Sequence, residues 1–219
     1  MTRRATIVAA LAVAVLVPSV AQAGPPLVCF PFDIGAEASL PWGSDPGWKA
    51  PQPHYDRARL VGDTVALLTP STRVLVRMET LRRATVYAST DADAARALLG
   101  RLDERAQAEG SALGLFDAGY LRETYRQGRA ISGSKLVADA ADGYPAIERA
   151  LPLSGHDPEM EYAAALVTMG RQPEESRRHL DRAVAGAAAG SLLARTIERH
   201  HALWGASLGD LRVRLGSDR

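Results

Sequence analysis

The sequence predicts an all-α protein, an array of antiparallel helical hairpins preceded by an irregular arm. Three observations favour this fold class. Apolar residues recur at helical spacing from residue 55 onward, capping residues, prolines and glycines mark helix boundaries at regular intervals, and no segment alternates convincingly as a strand does. Helices that are joined by loops of only a few residues must run antiparallel to their neighbours, which produces hairpins.

Residues 1–23 predict an export signal. Arg3 and Arg4 precede an uninterrupted apolar run over residues 7–17, and an Ala-Gln-Ala motif that ends at Ala23 has the pattern that signal peptidase cuts. The run is about half of the roughly 20 apolar residues that a bilayer span needs. We therefore predict cleavage after Ala23, a periplasmic or secreted protein, and no transmembrane anchor in the mature chain.

Residues 24–54 predict an extended arm rich in proline and glycine. Proline removes a backbone donor and disfavours helix in the preceding residue, so the arm should be irregular. Its apolar side chains would be costly to leave in water, and we expect the arm to lie across the helical body. These side chains are Phe30, Phe32, Ile34, Leu40, Trp42 and Trp48.

Residues 55–219 predict a single helical domain. Thr69 with Pro70, Asp91, and Asp157 are caps or first-turn signals that begin helices, and Gly110 ends one. The predicted helices cover about residues 55–68, 69–88, 91–110, 111–127, 142–151, 157–170, 172–189 and 191–204, with a further short segment at 134–141.

One hairpin, residues 157–186, has a more specific pattern. Its first helix places a bulky residue, a small pair and an apolar residue at fixed spacing, and its second helix places small, bulky and small residues. These positions are Met160, Ala163, Ala164 and Val167, then Ser176, Leu180 and Ala183. The stretch resembles a single degenerate tetratricopeptide repeat, and an ordinary alanine-rich helix pair is the alternative. The resemblance implies a scaffold that holds a peptide or another protein.

The arm provides a second, more general likeness. Its segments 30–35 and 39–42 resemble those of uncharacterised exported bacterial all-helical proteins, and this likeness implies no activity.

The charge balance is also informative, because 26 basic residues stand against 25 acidic ones and Arg3 and Arg4 leave with the signal. A general nucleic-acid binder needs a clear basic excess, so we predict no nucleic-acid partner.

The second predicted helix carries the first two candidate binding residues. Arg77 and Glu79 lie beside apolar positions on a helical wheel, so we expect both to be drawn partly into the interior. A buried charge needs a partner. The two residues are therefore candidates for an anion site or for a structural ion-pair network with Arg73, Arg82 and Arg83 at the helix surface.

Tyr120 and Tyr125 are the other two candidate binding residues. Both lie on the aromatic fourth helix, where their rings would line a groove or fill the core. The histidines predict no metal site, because His200 and His201 point about 100° apart on a helix. His179 is predicted to lie on a solvated face, since arginines flank it.

The leading prediction is a non-enzymatic exported module that binds a protein or peptide in a groove between hairpins. We predict no catalytic residue, no metal and no cofactor. One alternative is an enzyme of unknown class whose site is assembled from polar residues far apart in the sequence. Another is a haem or ligand carrier that uses Cys29. This residue is the only cysteine of the sequence, so an internal disulfide is excluded. The predicted binding contacts are Arg77, Glu79, Tyr120 and Tyr125.

Overall fold

The computed structural model describes residues 24–44, 48–131, 133–137 and 141–202. Within these ranges the chain forms nine α-helices, one 3₁₀ turn at Arg57–Arg59 and no strand longer than an isolated bridge. The helices are α1 Pro26–Cys29, α2 Leu60–Leu67, α3 Val74–Ala88, α4 Ala92–Glu109, α5 Ala112–Gly128, α6 Tyr144–Leu153, α7 Pro158–Thr168, α8 Pro173–Gly186 and α9 Leu192–Ala202. The predicted export signal and the predicted end of the last helix at residue 204 lie outside the described residues.

Several predicted helix boundaries are confirmed by their capping contacts. The carboxylate of Asp91 accepts hydrogen bonds from two main-chain amides in the first turn of α4, and that of Asp157 does the same for α7. Gly110 ends α4 in the left-handed conformation, with φ of 57°, which glycine adopts without steric cost. Local side-chain chemistry therefore sets these boundaries.

The predicted start of α3 at Thr69 and Pro70 is wrong, because α3 begins at Val74. The hydroxyl of Thr69 bonds the hydroxyl of Thr72 instead of a helix amide, and Thr72 donates to the carbonyl of Leu67. These contacts close a compact loop over residues 69–73. The short predicted segment at 134–141 is also not helical at residues 134–137 and 141, the part of it that the structure describes.

Helix α3 is the centre of the body. Every residue of α3 except Arg83 is buried, and the helix packs against α2, α4, α5 and α7. A helix that is covered on all sides must pair its own charges inside the protein. The charged residues Arg77 and Glu79 of α3 accordingly form ion pairs inside the protein.

The later helices pack closely against one another. Helix α7 ends before Gly170, and residues 169–172 connect it to α8, with which it makes the most extensive helix contact described. Gly186, at the end of α8, lies so close to Pro158 that a β-carbon there would overlap the proline ring. Helices α5 and α6 approach in the same way through Gly119 and Gly143.

The arm packs on the body, as expected, and adds the short helix α1. Leu27, Phe32 and Leu40 of the arm are buried in the same core as the helices, and α1 contacts α3, α5 and α7. The arm is therefore part of the folded core. None of the helices in the described part of the chain has the length and apolar character needed to cross a bilayer.

Candidate functional site

Helix α3 holds the arm through three charged side chains, Glu79, Arg82 and Arg83, which we call the main-chain clamp. Glu79 Oε2 accepts a hydrogen bond from the amide of Phe32 at 3.1 Å. Arg82 Nη1 donates to the carbonyl oxygen of Val28 at 3.1 Å, and Arg83 Nη1 donates to that of Leu40 at 2.7 Å. The clamp thus binds backbone groups of the arm, whatever side chains those residues carry.

The clamp is also an ion-pair network. Arg82 Nε and Nη2 donate to the two carboxylate oxygens of Glu79 at 2.7 and 2.8 Å, and Arg83 Nε donates to Oε1 at 2.7 Å. Burial by itself would raise the pKa of Glu79, but Arg82 and Arg83 outweigh burial and lower that pKa. The Trp42 ring lies 4.9 Å from the guanidinium carbon of Arg82, within cation–π range.

Helix α9 holds the beginning of the arm. The backbone oxygen of Pro31 is 3.2 Å from His200 Nε2, and the opposite ring nitrogen, Nδ1, is 2.9 Å from the hydroxyl of Tyr162. Burial lowers the pKa of His200 to about 4, so the ring is neutral at physiological pH. Asp33 accepts a hydrogen bond from Arg195 Nε at 2.9 Å. The arm is therefore fixed at several points along its length.

A second buried ion pair joins α3 to α5. Arg77 Nη1 donates to Asp117 Oδ2 at 2.5 Å, Arg77 Nε donates to the carbonyl of Thr72 at 2.9 Å, and Nη2 donates to the carbonyl of Thr69. Asp117 Oδ1 has no hydrogen-bond partner in the described structure. Burial raises the pKa of Asp117 to about 6, and Arg77 opposes this rise. Arg77 therefore anchors both α5 and the loop at residues 69–73.

An open recess of about 490 Å³ lies at the end of the body where α3, α5, α7 and α9 begin. Its walls come from the loop at 69–73 and from the loops that precede α7 and α9. It combines apolar side chains with charged and hydroxyl groups. The lining residues are Pro70, Ser71, Thr72, Arg73, Val74, Leu113, Asp157, Pro158, Glu159, Gly186, Ala188, Ser191 and Leu193.

The charged groups of the recess are fixed in different ways. Glu159 uses both carboxylate oxygens, because Oε1 accepts from Arg73 and Oε2 accepts from the amide of Leu75 at 2.9 Å. Asp157 uses only Oδ1, which accepts the amides of Glu159 and Met160 at 2.9 and 3.1 Å. Among the contacts of the described residues, Arg73 Nε and Nη1 and Asp157 Oδ2 thus have no partner.

A third polar cluster contains two imidazole rings on one buried carboxylate. Glu161 Oε1 is 2.7 Å from His156 Nδ1, and Glu161 Oε2 is 2.5 Å from His179 Nδ1. His179 Nε2 is 2.9 Å from the hydroxyl of Tyr144. The prediction that His179 lies on a solvated face is wrong, because its ring is almost completely buried between partners on α6 and α7. Arginines beside it in the sequence do not keep it at the surface.

The four predicted binding residues all lie in the interior. Arg77 pairs with Asp117, whereas Glu79 pairs with the arginines of the clamp. The Tyr125 hydroxyl donates to a main-chain carbonyl of α4 at 3.1 Å, and the Tyr120 hydroxyl has no partner in the described structure. None of these side chains reaches the surface, and their role as partner contacts stays a prediction.

The expected ion pairs are confirmed, but their location differs from the prediction. Glu79 pairs with Arg82 and Arg83 in the interior, not at a helix surface, because the arm covers this side of α3. Arg73 pairs instead with Glu159 on α7. Sequence reasoning missed the recess, since Asp157 and Glu159 indicated only a helix start.

In the ranges that the structure describes, no group of three or more histidine, cysteine, aspartate or glutamate side chains is arranged to hold a metal ion. Comparison of the whole chain with protein-family models, with curated proteins and with solved structures gave no match.

Proposed function

We propose that this protein is a binding module that holds a segment of a protein or peptide partner in the recess. The observation that carries this proposal is an open space of about 490 Å³ that is lined by apolar side chains and by polar groups, which include hydrogen-bond donors and acceptors. Ligand sites are typically concave, mostly apolar, and equipped with a few placed polar groups. A peptide segment supplies the complementary surface, because it carries donors, acceptors and apolar side chains together.

The walls of the recess are held in place by interior contacts. Arg77 fixes the loop at 69–73 through the carbonyls of Thr69 and Thr72, and Glu159 joins the start of α7 to the start of α3. The close approach of Gly186 to Pro158 leaves little freedom between α8 and α7. A site that is already formed loses less entropy when a ligand binds. This arrangement gives the predicted residue Arg77 a positioning role beneath the site.

The proposal includes the location of the protein and the type of scaffold. An export signal that is cleaved after Ala23 would place the module in the periplasm or outside the cell, and the mass of the mature protein tests this. The hairpin of α7 and α8 would act as a tetratricopeptide-like scaffold. Its small residues Ala163 and Ala164 are buried at the helix contact, which supports this interpretation.

A peptide array with a blocked-recess variant tests the proposed function. We would incubate the labelled protein with immobilised octapeptides of varied sequence, some with free ends and some with both ends blocked. Ala188→Trp places a large side chain in the recess, and Ala189→Trp is the matched control because its neighbour Ala188, and not Ala189, lines the recess. We expect binding that Ala188→Trp abolishes and Ala189→Trp preserves. Binding that both variants preserve would place the partner surface elsewhere and refute the proposal.

The Glu161 cluster favours the enzyme alternative as a second candidate. His156 contacts Glu161 through Nδ1 and its ring is half-exposed, so Nε2 is left without a partner among the contacts of the described residues, as in a general base oriented by a carboxylate. The next residue, Asp157, lines the recess. The test is a panel of ester, amide and phosphoester substrates, in which His156→Ala should abolish any turnover and leave peptide binding unchanged. Absence of turnover in the native protein would remove this candidate.

A further inference from the structure

We infer that the recess binds the main chain of an extended, uncharged peptide segment, with Arg73 donating to a peptide carbonyl and Asp157 accepting from a peptide amide. This inference rests on the proposed function and specifies the chemistry of the ligand. It differs from recognition of a charged terminus or of a charged side chain.

The main-chain clamp shows how this protein binds an extended segment. In the clamp, Glu79 accepts from one amide of the arm while Arg82 and Arg83 donate to its carbonyls. An acid and an arginine together match the alternating donors and acceptors of a backbone. The recess carries the same pair of functions in Asp157 and Arg73.

The lining of the recess carries one cationic side chain, Arg73, and two acidic ones, Asp157 and Glu159, so it has no surplus of positive charge that would favour a carboxylate ligand. Glu159 is satisfied by Arg73 and by the amide of Leu75, so it holds the guanidinium of Arg73 in place. Asp157 Oδ2 and the Nε and Nη1 groups of Arg73 have no partner among the contacts of the described residues, and both residues line the recess. A carboxylate ligand would lie near the acid, and an ammonium ligand would lie near the guanidinium. A peptide group satisfies both side chains without adding charge.

The apolar lining provides a place for ligand side chains. Val74, Leu113 and Leu193 line the recess together with two prolines. Its volume of about 490 Å³ lies within the range of roughly 300 to 1,000 Å³ that is usual for ligand sites. A bound segment would therefore gain affinity from an apolar side chain and orientation from Arg73 and Asp157. This predicts a preference for apolar residues near the bound peptide group.

Two variants of the native full-length chain test the inference with the array peptide that binds best. Asp157→Asn keeps a capping oxygen but removes the charge, and Arg73→Gln removes the guanidinium. We expect each to weaken binding of the end-blocked peptide by about tenfold, which is typical for loss of a hydrogen bond to a charged group. The control variants Arg96→Gln and Asp93→Asn, in an exposed pair on α4, should leave affinity unchanged.

The chemistry of the probe provides the second arm of this test. Methylation of one backbone nitrogen in the peptide should weaken its binding to the native chain and have no further effect on the Asp157→Asn variant. A requirement for a free carboxyl terminus, for a free amino terminus or for a charged side chain would overturn the inference. Equal binding to Arg73→Gln and to the native chain would also overturn it. If Ala188→Trp still abolishes peptide binding, these outcomes refute only the inference and leave the proposed function intact. If Ala188→Trp no longer abolishes binding, the inference and the proposed function are both refuted.

Discussion

The main-chain clamp and the recess both combine an acidic side chain with arginine, but the clamp is covered by the arm and the recess is open. In the clamp, Glu79 and Arg82 are buried beneath a segment of the same chain, and Arg83 is partly buried beside them. In the recess, Asp157 and Arg73 line an open space, and the Arg73 side chain is 46% exposed. A buried network must be satisfied within the fold, whereas an open one keeps donors and acceptors for a partner. The contrast supports the proposal that polar groups serve stability in the clamp and binding in the recess.

The largest expected effect comes from removing the charge of the clamp. Glu79→Gln leaves Arg82 buried without its ionic partner, which should lower the free energy of unfolding by about 3 to 5 kcal/mol. Urea denaturation monitored by circular dichroism measures this value. Glu104→Gln, in an exposed pair on α4, is the control and should change stability by less than about 0.5 kcal/mol. Equal stabilities of the two variants would show that the clamp is not a structural network.

Apolar side chains should also contribute more to stability in the arm than at the wall of the recess. Leu40 of the arm is completely buried, so Leu40→Ala should cost about 2 to 5 kcal/mol through lost burial and the cavity that remains. Leu113 is only partly buried at the wall of the recess, and Leu113→Ala should cost less than half as much. Thermal unfolding of both variants makes the comparison. A larger loss for Leu113→Ala would contradict the description of the recess as an open site.

The pH dependence of stability tests the contact between His200 of α9 and the arm. The pKa of His200 is lowered to about 4 in the folded chain, against about 6.5 in the unfolded chain. The unfolded state therefore binds the proton first, and the contribution of His200 is present above pH 6.5 and is lost as the pH falls towards 4. This loss amounts to about 3 kcal/mol.

The variant His200→Gln isolates that contribution. It removes the titrating ring that bonds Pro31 of the arm, while the neighbouring His201, whose pKa is also lowered to about 4 by burial, stays in place. Urea denaturation between pH 7 and pH 4 should show a shallower loss of stability in the variant than in the native chain. Parallel curves for the two proteins would mean that His200 titrates normally in the folded state.

Local signals in the sequence predict most helix boundaries but not the partners of buried charges. Asp91 and Gly110 define the ends of α4 with contacts inside a few residues, and such contacts are visible in the sequence. The start of α3 depends on the loop at 69–73, which Arg77 and the hydroxyl groups of the loop hold together. His179 is buried by partners on two other helices, Tyr144 and Glu161. Only the folded chain brings these groups together.

The recess could not be predicted for the same physical reason. Its walls come from loops that lie far apart in the sequence, and none of these loops carries a motif of its own. The burial of Arg77 and Glu79 could be predicted, because both lie beside apolar positions on a helix that is buried on nearly all sides. What the helical wheel could not show was which segment covers them. The arm covers Glu79, and α5 covers Arg77.

The smallest expected effect concerns Asp157, which has one role in folding and a second, proposed role in binding. Asp157→Ala removes the cap of α7 and should lower the free energy of unfolding by about 1 kcal/mol. Asp157→Asn keeps a capping oxygen and should leave stability within about 0.5 kcal/mol of the native value. Urea denaturation of both variants, read beside their peptide affinities, separates the two roles. If Asp157→Asn loses as much stability as Asp157→Ala, its charge belongs to the fold, and the contrast between a structural clamp and a binding recess would fail at this residue.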